Sequence, residues 1–318
     1  MRGVFLDLDT VIYEGDVDLA PLRQVLTDLS TFGASPSEQL VQRVADAEVV
    51  LTNKVKLGAA ALTRFPRVRL VCIAATGTNN VDLEAARGRG IAVSNVPAYS
   101  TMSVVQQVFA LILSLTQHLR EYELLLQAGA WRRAPQFTLL DYPIRELAGK
   151  NFGILGYGDI GRAVGRVAEA FGMRVLLAAR NAEDTRPGRL PLAQLLPQVD
   201  VLSVHVPLLP ETRNLIGASE LALMKRDALL INCARGGIVD EQALADALRT
   251  KRLGGAGVDV LSEEPPVHGN PLLTPGIPNL IVTPHIAWAT REARQRVINE
   301  MALNIAAFAQ GKSRNRVA

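Results

Sequence analysis

Residues 151–161 read Asn-Phe-Gly-Ile-Leu-Gly-Tyr-Gly-Asp-Ile-Gly, an apolar run that passes straight into a GxGxxG turn. Ile160 to Phe171, which follow, have the spacing of an amphipathic helix. A strand, three glycines at this spacing and a helix leave few architectures open. Gly156 permits the tight turn, Gly158 lets a pyrophosphate approach the backbone, and Gly161 lets the helix pack closely on the strand. Asp159 and Ile160 then open the helix, whose unpaired N–H groups and positive dipole end favour phosphate. A glycine-rich turn alone is weak evidence, but the strand before it and the helix after it supply the context that dinucleotide binding requires.

The rest of the chain repeats this alternation. Short apolar runs at Val4 to Leu8, Val49 to Leu51, Leu70 to Ile73 and Ile91 to Val93 read as strands, and Ala20 to Leu29 has helical spacing. Val104 to Leu126 reads as one long helix, with Leu111, Leu115 and Leu119 on one face. A loop-like stretch runs from Trp131 to about Gly149. Strands follow at Asn151 to Leu155, Val175 to Ala178, Val201 to Val204, Leu229 to Asn232, Gly257 to Val260 and Leu280 to Thr283. Alternating strands and helices predict an α/β protein with two doubly wound parallel sheets. The second unit covers residues 100–286, and the final helix, Arg291 to Ala309, returns to the first. A length of 318 residues also suits two cores better than one.

Composition narrows the function. Lys and Arg (34) against Asp and Glu (31) leave a net charge of +3, without the basic stripe a nucleic-acid surface needs, and the tail from Lys312 to Arg316 reads as a solvated terminus. Cys72 and Cys233 are too few for a disulfide framework. Asp7 and Asp9 interrupt the first apolar run, and no stretch is long enough to span a bilayer, so a cytoplasmic protein is expected. No Cys/His/Asp cluster has metal-ligand spacing, and no metal is implied.

The segment after the second strand of a dinucleotide fold bears on which dinucleotide binds. An Asp or Glu there, about 20 residues beyond the glycines, accepts from both ribose hydroxyls of NAD. This chain has Ala179 followed by Arg180. Loss of the carboxylate removes repulsion of a 2′-phosphate, and a guanidinium can bind one, so NADP(H) is favoured and NAD(H) stays possible.

Three residues lie just past later strands: Arg235 after Leu229 to Asn232, Glu264 after Gly257 to Val260, and His285 after Leu280 to Thr283. Strand ends are where open α/β sheets place ligands. A guanidinium can grip a carboxylate and polarise a carbonyl, and a carboxylate paired with imidazole orients it as an acid or base. Singly, Arg235 reads better as a structural ion pair, Glu264 as a helix-cap or loop acid and His285 as a satisfied turn histidine. Together, downstream of the glycine turn, they predict hydride transfer to a 2-keto acid.

With Gly156 to Gly161, His205-Val206-Pro207-Leu208, Glu211-Thr212, Asn232 to Gly236, Asp259 to Pro265 and Pro284-His285, the chain resembles the D-isomer-specific 2-hydroxyacid dehydrogenases over essentially its whole length. That resemblance implies a Rossmann cofactor domain (100–286) inserted in a flavodoxin-like substrate domain (1–99 and 287–318). It implies catalytic roles for Arg235, Glu264 and His285, and places Asp259 beside the nicotinamide. It puts His205, Pro207, Thr212, Cys233 and Ala234 around the cofactor, His205 beside the adenosine. It gives the substrate carboxylate to backbone amides of Ala75, Thr76 and Gly77, and it implies a homodimer, which the leucine-rich Val104 to Leu126 segment also suggests. Ala74 to Asp82, Asn95 to Thr101 and His285 to Thr290 resemble the glycerate dehydrogenase (hydroxypyruvate reductase) branch. Gln107, where that branch often has His, and Leu139-Leu140, where aromatics are frequent, open the pocket to other small acids such as glyoxylate. Without a further C-terminal regulatory domain in this sequence, the larger phosphoglycerate dehydrogenases are not the expected branch. Trp131 and Trp288 suit a pocket wall or a core equally, and His118 and His268 show no partner in the sequence.

Two rival readings compete. Asp7-Leu8-Asp9-Thr10-Val11 resembles the DxDxT opening of haloacid-dehalogenase-type phosphatases, but Val11 stands where Thr or Ser is needed. A dinucleotide-sensing, corepressor-like module would have no use for Arg235, Glu264 and His285 together.

Overall fold

The computed structural model describes residues 1–181 and 183–318. They divide into two compact units, Met1–Ser100 with Trp288–Ala318, and Thr101–Ala287.

In the first unit five parallel strands, β1 (Arg2–Phe5), β2 (Asp28–Thr31), β3 (Val49–Thr52), β4 (Leu70–Ile73) and β5 (Ala92–Ser94), lie in the order β2-β1-β3-β4-β5. This is the flavodoxin-like order. β3 and β4 are buried throughout, as their nearly continuous apolar sequences, broken only by Thr52, require of a sheet covered on both faces. One face packs against helix Arg291–Ala309 through Ala293, Val297, Ile298, Met301 and Ile305.

The helix expected to run from Ala20 to Leu29 stops at Val25, and Asp28–Thr31 forms β2 instead. The Leu22, Leu26, Leu29 spacing suits a longer helix, but Leu29 pairs with Gly3 across the sheet and Leu26 packs on Gly3, where a β-carbon would come within 2.5 Å of its Cδ1. Tertiary pairing overrides local periodicity. β1 likewise ends at Phe5, and Leu8–Thr10 turns as a 3-10 helix.

The second unit holds β6 (Asn151–Leu155), β7 (Arg174–Ala178), β8 (Arg189–Leu190), β9 (Val201–Val204), β10 (Leu229–Asn232), β11 (Gly255–Val258) and β12 (Leu280–Val282). Their order, β12-β11-β10-β9-β6-β7-β8, is doubly wound, and it reverses direction between β6 and β9. That is the switch point where such sheets bind ligands.

The helix expected over Val104 to Leu126 is two helices, Thr101–Gln117 and Leu119–Gln127, bent by 54°. His118, between them, is left-handed at φ 51° and stacks on Tyr142 with ring centroids 5.2 Å apart. Leucine spacing continues across the bend, so the pattern conceals it. No single helix among the described residues is long and apolar enough to cross a membrane.

Candidate active site

β10, β11 and β12 are adjacent and parallel, so their carboxyl ends share one edge of the sheet. Arg235, Glu264 and His285 each lie in the loop that follows one of these strands. His285 Nδ1 meets Glu264 Oε2 at 2.6 Å, and the other oxygen of Glu264 accepts from the Leu261 N–H at 3.0 Å. One carboxylate thus joins its own loop to the next strand's histidine.

His285 is held in the left-handed region at φ 55°, which costs a non-glycine residue on the order of 1 kcal/mol. Asp259 supports this turn. Its backbone carbonyl accepts from the His285 N–H at 2.8 Å. Its carboxylate accepts from Ile286 N–H at 3.0 Å, Ala287 N–H at 2.8 Å and Thr283 Oγ1 at 2.5 Å. Gln107 Nε2 donates to Thr283 Oγ1 at 3.1 Å, which turns the threonine proton toward Asp259. Burial pushes the Asp259 carboxyl up, opposed by Thr283, the two turn amides and the neighbouring His285. Asp259 is only 1% exposed, with both oxygens engaged by the histidine's own turn.

The Arg235 turn is tied by the buried Asn232, whose Nδ2 donates to Arg235 O at 3.0 Å and whose Oδ1 accepts from Ala234 N–H at 3.1 Å. The exposed guanidinium donates to Ala234 O at 2.7 Å and enters no ion pair among the described residues. A β-carbon at Gly236 would lie 1.9 Å from Leu261 O, so the Arg235 turn presses directly on the loop that carries Glu264.

At the β6–β9 switch point Gly156 has φ 97°, and a β-carbon there would sit 2.7 Å from the His205 carbonyl. One at Gly161 would sit 2.1 Å from Gly156 O, whereas one at Gly158 would have no described atom within 4 Å. A closed turn with open space at its middle glycine, leading into the twelve-residue helix Asp159–Ala170, fits a dinucleotide pyrophosphate. Asp159 accepts from Arg162 at 2.6 Å, and Ile160 is partly buried behind it. Thr212 Oγ1 donates to Pro207 O and accepts from Leu209 N–H, each at 2.7 Å, knotting the loop after β9. Burial and then the Asp259 charge push the Cys233 thiol well up, so it stays protonated beside Ala234.

His205 Nε2 lies 2.8 Å from Ser203 Oγ, and burial pushes the ring down to about 4. The unfolded chain therefore binds a proton that the folded one refuses as pH falls from about 6.5 to about 4. Stability from this ring is complete above that window and is lost through it, by at most about 3 kcal/mol. Thermal melts of wild type and His205→Asn across pH 4–7 should converge at the acid end; parallel curves would remove His205 from the account.

The end of β7 holds residues that the sequence reading passed over. Asp184 accepts from Arg180 N–H at 2.7 Å and from Arg186 Nε and Nη2 at 2.6 and 2.7 Å. Arg186 first, then the Arg180 amide, hold this carboxyl well below the usual range. Arg189 lies over the Tyr157 ring of the glycine turn, 5.0 Å from its centroid. Arg180 itself is exposed.

In the first unit, the loop after β4 is pinned through its acceptors: Asn95 Nδ2 donates to Thr76 O at 2.7 Å and Val96 N–H donates to Ala75 O at 3.0 Å. The amides of Ala75, Thr76 and Gly77 make no hydrogen bond to other described residues. Asp7 is buried, and its carboxylate accepts from the N–H groups of Asn53, Lys54 and Val55 at 2.6–3.2 Å. It is a structural anchor for that loop. His268 pairs with Glu263 at 2.7 Å and His118 faces Glu121 at 3.8 Å, partners the sequence did not reveal. Trp288 packs on the first core beside Tyr99, whereas Trp131 is largely exposed and donates to Phe137 O at 2.8 Å.

Residues 109–287 match the family model of the D-isomer specific 2-hydroxyacid dehydrogenase NAD binding domain. The chain belongs to this family. The dehydrogenase is similar to a glycerate dehydrogenase of Methylorubrum extorquens, 44% identical over 88% of each chain. It is similar in structure to the TT0316 protein from Thermus thermophilus, with a TM-score of 0.86, 34% identity and all of each chain covered. An acyclic imino acid reductase solved in complex with NADPH and D-Arg superposes with a TM-score of 0.85 at 27% identity, again over all of both chains. Membership excludes the phosphatase reading, and the amide-locked Asp7 shows why its DxDxT-like opening is misleading.

Proposed function

We propose that this dehydrogenase reduces hydroxypyruvate to D-glycerate, and glyoxylate to glycolate, with NADPH preferred over NADH. The observation that carries the reading is the 2.6 Å Glu264–His285 pair, formed across the ends of the neighbouring strands β11 and β12, beside the end of β10 that leads to Arg235, which enters no ion pair among the described residues. Gly156, Gly158 and Gly161 with the helix start at Asp159 would hold the dinucleotide, and His205, Pro207, Thr212, Cys233 and Ala234 would border it. A reduced nicotinamide bound there supplies the hydride that reaches C2 of the keto acid.

This chain's own groups do the rest. The amides of Ala75, Thr76 and Gly77 take the substrate carboxylate. Arg235 grips carboxylate and carbonyl oxygens with its planar fork and stabilises charge as it develops on the carbonyl oxygen. Glu264 holds Nδ1 of His285, so Nε2 gives its proton to that oxygen on reduction and takes it back on oxidation.

The NADPH preference rests on Ala179 in place of an acid, on Arg180 and on Arg189 against the glycine turn. Asp184 does not replace the missing acid, because Arg186 and the Arg180 amide already occupy both its oxygens. Arg180→Ala is expected to raise the KM for NADPH by about tenfold or more, the loss of one charge-assisted contact, and to leave that for NADH nearly unchanged. A wild-type enzyme that prefers NADH overturns this part.

A homodimer is supported by the exposed apolar residues Leu119, Leu124, Phe137, Leu140 and Ile144, with Phe137 88% exposed. Light scattering should give twice the chain mass and Phe137→Asp a lower one; a monomeric wild type contradicts it.

A further inference from the structure

Beyond the three reactive side chains, the structure assigns Glu241 as a positioning residue: its carboxylate closes the 262–270 loop and thereby sets Glu264 against His285. The inference rests on the reading of that pair as the acid–base couple.

Glu241 opens helix Glu241–Arg249, directly after Asp240, which caps the helix by accepting from Ala243 N–H at 3.0 Å. The cap is therefore already made, and Glu241 reaches elsewhere. Its Oε1 accepts from Ser262 N–H at 2.6 Å, and its Oε2 accepts from Ser262 Oγ at 2.7 Å and Asn270 Nδ2 at 2.6 Å. Ser262 is the first and Asn270 the last residue of the segment that carries Glu264. One carboxylate thus ties both ends of an otherwise exposed loop to a helix start. Asn270 passes the restraint on, since its Oδ1 accepts from Leu272 N–H at 2.9 Å.

Within the loop, Glu264 is braced by Leu261 N–H, the residue just before Ser262, and Leu261 lies on the backbone of Gly236 beside Arg235. A shift of Ser262 carries Leu261 with it and pulls Glu264 away from His285 Nδ1. Three charge-assisted bonds on two oxygens resist that shift, and no amide can accept all three. Glutamine at 241 offers a single acceptor oxygen and turns a donor toward one of its present partners.

The test compares Glu241→Gln, Glu264→Gln and the double variant, with His285→Ala as control, in single-turnover reduction of hydroxypyruvate, alongside cofactor affinity by fluorescence titration. Misplacement of the couple should cost Glu241→Gln about 10- to 100-fold in the chemical step with cofactor affinity unchanged. In the Glu264→Gln background the same substitution should cost almost nothing further, because Glu241 acts through Glu264. Nitrogen NMR of the histidines should show the His285 Nδ1–H signal of wild type lost in Glu241→Gln as it is in Glu264→Gln. Asn270→Ala, which loosens the same closure without touching the helix start, should shift rate and signal in the same direction; should Glu241→Gln not fold, this variant alone decides. Losses that multiply in the double variant, or an unaltered His285 signal, overturn the assignment. A His285→Ala enzyme that keeps its rate overturns the acid–base reading instead, so the two failures are distinct.

Discussion

His285→Ala should lower kcat for keto-acid reduction by roughly 10²–10⁴-fold, the contribution of a positioned general acid, while cofactor affinity stays within about twofold. The imidazole is tied to Glu264 through Nδ1 and lies in a turn built by Asp259, away from the glycine turn that follows β6. Its removal therefore takes away the proton donor without loosening the dinucleotide site. Single-turnover kinetics and a separate binding titration check both halves. An unchanged rate would remove His285 from the chemistry, and an equally large loss of cofactor affinity would make its role structural.

Arg235→Ala is expected to lower kcat/KM by about 10³-fold, divided between a higher KM for the keto acid and a lower kcat. The guanidinium has one internal bond, to Ala234 O, and no carboxylate partner among the described residues. Its truncation leaves no buried charge behind and should change the melting temperature little. Arg235→Lys should restore only part of the activity, since a point charge cannot reproduce a planar fork against two oxygens. A variant that loses stability but keeps its KM would identify a structural arginine.

Much of this was readable in the sequence because the decisive features are local. The GxGxxG turn prescribes its own backbone, and β4, β6, β9 and β10 fall on apolar runs whose bounds coincide with the strands found. Strand ends bring Arg235, Glu264 and His285 to one edge, because parallel strands that are neighbours in the sheet must end together.

What escaped was set by distant partners. His118 breaks a helix whose leucine period runs on undisturbed, and Leu29 joins a strand because Gly3 pairs with it. The turn-building role of Asp259, whose carboxylate accepts from Thr283 and two turn amides, has no local signal, and Gln107 reaches the same cluster from helix Thr101–Gln117. Asp184 lies in no motif, yet it binds Arg186 and the Arg180 amide. Glu241 sits in a plain helix start. No spacing rule reveals a carboxylate that reaches a loop 21 residues away.

Reduction of hydroxypyruvate with a reduced nicotinamide cofactor deuterated at both C4 positions, followed by chiral separation of the glycerate, examines hydride delivery and facial selection in one product. Deuterium at C2 of D-glycerate, formed by wild type and lost with His285→Ala, is the expected result. L-glycerate, or D-glycerate without the label, would contradict the arrangement described for Arg235, Glu264 and His285.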